Sequence, residues 1–141
     1  MKISWDESLA IGIPEIDNQH RQFVLLLLKL QLAIADRTVT THLNDVLDEL
    51  AQYVKYHFGT EEEHFATYQC YDNAPAHIAA HEAFRERLRQ LKFQFLDDSN
   101  KLSDELAVAM YDWLKGHIAH MDREYIECFK AHGLGDIVTN E

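Results

Sequence analysis

Residues 77–95 read HIAAHEAFRERLRQLKFQF, and His77, His81, Phe84, Leu88, Leu91 and Phe95 recur in them at intervals of three or four. An α-helix turns about 100° per residue, so that spacing gathers these side chains on one face. Asn73 to Pro75 break the chain just before this stripe, with Pro75 suited to a first helical turn, and Asp97 to Asn100 close it. The expected helix covers 75–96.

Moving toward the N-terminus, Leu43, Leu47, Leu50 and Val54 lead at the same spacing to His57 and Glu61, in a helix expected over 40–66 that starts at Thr40 or Thr41. It should stop between His64 and Tyr71. Before it, His20, Phe23, Leu27, Leu30 and Ile34 share a face of a helix expected over 17–36, with Asp17 as its N-cap. Residues 1–16 form an arm interrupted by Gly12 and Pro14, which Trp5 packs onto the helices. Toward the C-terminus, Ser103 caps a helix over 103–130 with Asp104 and Glu105 in its first turn and Leu106, Met110, Trp113 and His117 facing inward. Gly133 and Gly135 mark a tail over 131–141.

Only five Gly and two Pro occur, and no stretch alternates apolar and polar residues long enough for a sheet, so the chain is all-α. Short connections between helices of roughly twenty residues favour an antiparallel up-down-up-down four-helix bundle with an N-terminal arm. With no internal repeat or linker, 141 residues form a single domain. A monomer is expected, because one bundle buries its own stripes, although Leu25, Leu26 and Leu28 offer a face for pairing.

The net charge of −11 excludes nucleic acid and disfavours anionic membrane surfaces, both of which require basic surface. The apolar run from Val24 to Ala35 is too short to span a bilayer and contains Lys29 and Gln31. The opening MKISWDES carries charges where a signal peptide needs an apolar region, pointing to a cytoplasmic protein. Cys70 and Cys128 form no C-x-x-C; they read as small apolar packing residues in a reducing compartment.

The chemistry lies in the histidines and carboxylates. His57 with Glu61, and His77 with His81, stand four apart, so each pair projects to one point and grips a site jointly. Single pairs carry little weight in a chain with nine His, but His20, His57, Glu61, His77, His81, His117 and Asp122 together supply a donor mixture suited to iron and other first-row metals. If both carboxylates bridge two metals, five imidazoles and two carboxylates give nine bonds and a solvent-derived bridge two more, whereas two octahedra need twelve. One position then stays open for a small diatomic molecule.

Spacing alone does not select the last ligand. On an ideal helix Asp122 lies about 140° from His117 and Glu124 only about 20°, and His120 with Glu124 forms a second H-x-x-x-E. His42, His64, His120 and His132 read as surface residues, and Glu62 and Glu63 as a solvated face.

The series His20, H57-F-G-T-E61, H77-I-A-A-H81 and H117-I-A-H-M-D122, with W5-D-E-S and I16-D-N-Q-H20 in the arm region, resembles the hemerythrin family in its single-domain form over nearly the whole chain. The resemblance selects Asp122, which implies a π-type irregularity between His117 and Asp122 that brings an i,i+5 pair together. It further implies two non-haem irons with an oxo or hydroxo bridge, His77, His81 and His117 on one and His20 and His57 on the other, Glu61 and Asp122 shared, and reversible O2 binding at the two-His iron. Phe58, Trp113 and Leu114 are then candidates for an apolar lining of the O2 pocket, against the plainer role of bundle core.

On this reading the protein is not an enzyme. It stores O2 or delivers it to an O2-consuming enzyme. A sensor of O2, redox state or nitric oxide is the alternative. A ferritin-like di-iron oxidase fits less well, because it needs two Glu-x-x-His motifs and this chain has one, Glu61 with His64.

Overall fold

The computed structural model describes residues 2–36, 40–97 and 103–135, with side chains over 2–36, 43–94 and 103–135. Five α-helices follow one another, α1 (Pro14–Ala35), α2 (Thr40–Tyr68), α3 (Ala74–Asp97), α4 (Asp104–His120) and α5 (Ile126–Ala131), with 3-10 turns at Glu7–Leu9 and Asp122–Tyr125. The four long helices make the expected antiparallel bundle, α1 packing on α2 and α4, and α2 on α3. There is no strand among the described residues.

The stripes are the core. Phe23, Leu27, Leu30 and Ile34 of α1, Leu43, Leu47, Leu50 and Val54 of α2, Phe84, Leu88 and Leu91 of α3 and Met110 of α4 are all buried. Phe95 and His42 lie outside the described side chains. Leu26 belongs to the core, whereas Leu25 is exposed and Leu28 half-buried, so the suggested pairing face is narrower than three leucines.

Two helix boundaries differ from expectation. Helix α1 begins at Pro14, three residues before Asp17, since proline at the first helical position has its φ preset and lacks only an N–H that would have no partner there. Asp17 therefore does not cap the helix. Its carboxylate turns back to accept the N–H groups of Ile11 (2.8 Å) and Gly12 (3.1 Å), clamping the arm at a point where Gly12 has φ +82°. The rest of the arm is tied down by Gln31, which accepts the Ile3 N–H, and by Tyr111, which donates to the Ser4 carbonyl. Trp5 packs half-buried against the core with Arg21 over its ring.

The second difference is at the far end. The continuous helix expected over 103–130 stops at His120, turns through Met121 into the 3-10 turn at Asp122–Tyr125 and resumes as α5. The irregularity after His117 is present, but as a tightening and a break rather than a π-type widening. Ser103 sits at the N-cap of α4 without a side-chain capping bond.

A third correction concerns the cysteines. The α2–α3 connection and α5 bring Cys70 and Cys128 to a Cα separation of 5.5 Å, within disulfide range, and the two are bonded rather than separate packing residues.

Candidate metal centre

Each of the four long helices carries donors inward at the same level of the bundle. His20, His57, Glu61, His77, His81 and Asp122 are fully buried, and His117 nearly so. They fall into two adjoining groups that share one carboxylate: Glu61, His77, His81 and His117, and Glu61, His20 and His57. Asp122 spans both groups, with Oδ1 at 2.9 Å from His77 Nε2 and 3.1 Å from His117 Nε2, and Oδ2 at 3.1 Å from His20 Nε2. Glu61 presents Oε1 to His57 (3.4 Å) and to His81 (3.3 Å). The break after His120 is what re-aims position 122 into this group. Glu124, the carboxylate that ideal spacing favours, faces out and accepts from Tyr71 and Asn73.

The donors point at shared space rather than at one another. His20 Nδ1 and Nε2, His57 Nε2, Glu61 Oε1 and both Asp122 oxygens are buried without a hydrogen bond, although oppositely charged partners stand within about 3.5 Å. Short distances with poor angles, repeated at one point, are costly in a metal-free core. Three imidazole nitrogens also converge there, His117 Nε2 lying 2.9 Å from His77 Nε2 and 3.2 Å from His81 Nε2. Imidazole nitrogens and carboxylate oxygens crowded at one point with so few hydrogen bonds made between them are relieved by a cation. The residues fit a pair of metal ions.

The outer ring nitrogens support the same arrangement. His57 Nδ1 meets Gln19 Oε1 at 2.7 Å, His81 Nδ1 meets Glu62 Oε2 at 2.8 Å, and His77 Nδ1 meets the Tyr71 hydroxyl at 2.9 Å. With Nδ1 donating in each, Nε2 keeps its lone pair for a metal. Tyr71 passes its own proton toward Glu124, 2.8 Å away. Tyr125, fully buried, donates to Glu61 Oε2 at 2.5 Å.

Burial and mutual repulsion push Glu61 up, yet the imidazoles of His57 and His81 hold it below the ordinary carboxylate range. Burial likewise raises Asp122, but the imidazoles of His117, His20 and His77 close against its carboxylate hold it well below its ordinary value. Burial brings His57 down to about 4, with Glu61 opposing. His117 is raised because Asp122 and Glu61 outweigh its burial. Both carboxylates are therefore charged and available to bind a cation at neutral pH.

Among the lining candidates, Phe58 stacks on His81 with ring centroids 3.8 Å apart, and Trp113 stacks on His117 at 4.5 Å. Leu114 is fully buried and Trp113 half-buried. Both stacks lie against the three-His group. His64 pairs with Glu15 at 2.8 Å outside the cluster, and His120 and His132 are exposed. Glu62 corrects the expectation of a solvated face: its carboxylate joins His81 to Arg85. Gln19, Tyr71 and Tyr125 also went unread in the sequence. Gln19 is buried beside His20 in α1 and Tyr125 is buried in the 3-10 turn beyond the reach of helical spacing, and only the folded chain shows which atoms they meet.

A bundle with two buried imidazole–carboxylate sets sharing a carboxylate defines an all-α non-haem dinuclear metal protein. The model of the hemerythrin HHE cation binding domain matches residues 11–129, and the chain belongs to the hemerythrin family. It is 34% identical to a bacteriohemerythrin of Stenotrophomonas maltophilia over 91% of this chain and 82% of that protein. With a bacteriohemerythrin of Clostridium acetobutylicum it shares 28% over 87% of this chain and 98% of that one. The crystal structure of wild-type hemerythrin superposes with a TM-score of 0.81 at 25% identity, covering 89% of this chain and 95% of that one. The cofactor is accordingly a di-iron centre, and the activity is oxygen binding at that centre rather than enzymatic turnover.

Proposed function

We propose that His77, His81 and His117 hold one iron, His20 and His57 the other, and Glu61 and Asp122 both, and that the chain binds O2 reversibly for storage or for delivery to an O2-consuming enzyme. The observation that carries this reading is the pair of buried donor groups sharing Glu61, with Asp122 extending an oxygen to each. When bound, the irons would supply the electrons for reversible O2 binding. The protein supplies position, dryness and a fixed set of protons.

Gln19, Glu62 and Tyr71 fix three imidazole tautomers, so the ring nitrogens that face the metals need no rearrangement when O2 arrives. Tyr125 donates its proton to Glu61 Oε2, and burial with the nearby Asp122 and Glu61 charges raises that phenol well above its ordinary value, so it remains a donor. Phe58, stacked on His81 and tilted against His57, and Trp113, stacked on His117, give the centre an apolar wall that with buried Leu114 limits water and proton access, which otherwise promotes irreversible oxidation. The ferritin-like alternative lacks its motif here, because His64 of the single Glu-x-x-His spacing sits outside the cluster against Glu15.

We further propose that the protein acts as a cytoplasmic monomer. The apolar stripes of its long helices are covered within one chain, and no helix among the described residues is long and apolar enough to cross a membrane. The test is the visible spectrum of reduced, iron-loaded protein through cycles of air and argon, with iron assayed on the same sample. A band that comes with air and goes with argon at two irons per chain supports the proposal. Irreversible oxidation, or one iron per chain, refutes it.

A further inference from the structure

The disulfide between Cys70 and Cys128 is the one covalent cross-link among the described residues, and it joins the two segments that flank the three-His side of the centre. Cys70 lies in the α2–α3 connection immediately before Tyr71, whose hydroxyl meets His77 Nδ1 at 2.9 Å and Glu124 Oε1 at 2.8 Å. Cys128 lies in α5, three residues after Tyr125, which donates to Glu61, and six after Asp122, which spans both donor groups. The bond thus ties the segment that holds Tyr71, which orients one ligand, to the short helix that directly follows the turn carrying another.

Two further features make this link suited to opening and closing. Cys70 is exposed, so a soluble thiol reaches its sulfur, while Cys128 is buried against the core. Gln69, the residue before Cys70, has φ +52°, a left-handed conformation that costs a non-glycine residue free energy and persists only where surrounding structure enforces it. Packing of Phe129 on Phe65 and Tyr68 keeps α5 on α2 when the bond is absent, so reduction loosens the region without unfolding it.

We propose that Cys70 and Cys128 form a thiol–disulfide switch that sets how tightly the chain retains its iron, a regulation that rests on the di-iron reading above. In the closing direction two thiols lose two protons and two electrons and form the S–S bond, while a low-molecular-weight disulfide of the glutathione type takes them up as two thiols. In the opening direction a glutathione thiolate attacks Cys70 Sγ, Cys128 leaves as thiolate, and a second glutathione thiolate resolves the mixed disulfide. In a cytoplasmic protein a reachable disulfide is characteristically of this transient, redox-responsive kind.

The test compares the oxidised wild-type protein, the wild-type protein reduced and alkylated, and Cys70→Ala, all loaded with ferrous iron without air. Iron release to a ferrous chelator and amide exchange over 69–77 and 121–129 are followed together. Expected are cysteines protected from alkylation after equilibration with excess glutathione disulfide, and roughly tenfold faster iron release and exchange in both open forms. Free cysteines after that equilibration, or open and closed forms within twofold of each other at two irons per chain, overturn the switch alone. A chain that binds no iron in any form overturns the di-iron reading, and the switch with it.

Discussion

Replacing Phe58 with alanine is the sharpest test of how this core holds its ligands. The ring is fully buried, lies flat on His81 with centroids 3.8 Å apart, and meets Phe23, Phe84 and Trp113 edge-on or tilted at 5.8 to 6.3 Å. Truncating such a ring costs about 3–5 kcal/mol through lost burial and the cavity left behind, and the stack on His81 adds about 0.5–1.5 kcal/mol. That is a large share of the about 5–15 kcal/mol a domain of this kind has in total, so Phe58→Ala should be strongly weakened, and metal binding to the folded chain is what keeps it folded for the assay. Phe58→Leu, which refills most of the volume without the stack, should lose about 1–2 kcal/mol.

The assay is urea unfolding of iron-loaded protein at equal occupancy, followed by repeated air and argon cycles. Because the cavity opens beside His81, the alanine variant should also convert irreversibly to the oxidised state roughly ten times faster than wild type, with leucine in between. A loss under about 1 kcal/mol for alanine, or equal losses for alanine and leucine, would refute the claim that Phe58 is both packing and shield.

Other expectations follow from the ligand surroundings. Glu62→Ala removes the acceptor for His81 Nδ1–H and should weaken iron binding about 10- to 100-fold, measured by chelator competition, while the fold survives because Glu62 is half-exposed. Asp122→Asn should lower iron binding below two per chain, whereas Glu124→Gln should keep both irons and cost no more than about 1 kcal/mol, its bonds to Tyr71 and Asn73 being near the surface. Equal iron loss in the two variants would contradict the ligand assignment. In the metal-free protein, His57 has a folded pKa lowered to about 4 by burial. Its contribution to stability is present above its unfolded value near 6.5 and is lost as pH falls toward 4, about 3 kcal/mol over that window. His117, shifted the other way, offsets part of it, and His57→Leu should flatten the profile in thermal unfolding between those pH values.

The histidine positions were legible because ligands and core share one helical period. His20 continues the stripe of Phe23 and Leu27, and His81 that of Phe84 and Leu88, so the rule that finds the core also finds the donors. Asp122 was not legible by that rule, since the chain leaves the helix at Met121 and periodicity ends with it; the family resemblance alone selected it over Glu124. The anchors Gln19, Glu62 and Tyr71 stayed hidden because their roles depend on contacts across helices or around a turn, which spacing within one helix does not encode. Asp17 misled for a related reason. A carboxylate that accepts backbone N–H groups near a helix start looks like a cap, but Pro14 had already begun the helix, and the amides it captures belong to the arm.

The two buried carboxylates of the cluster differ in how stiffly they are mounted. Glu61 rides inside α2, a helix of 29 residues held on both sides by its neighbours, whereas Asp122 opens a four-residue 3-10 turn between two helices. With both carboxylates on the metals as proposed, a change in ionic radius, such as manganese or zinc in place of iron, should be taken up mostly by movement of the Asp122 turn. The centre has one firm jaw and one compliant one, and metal selectivity will be set by how far the compliant jaw can travel.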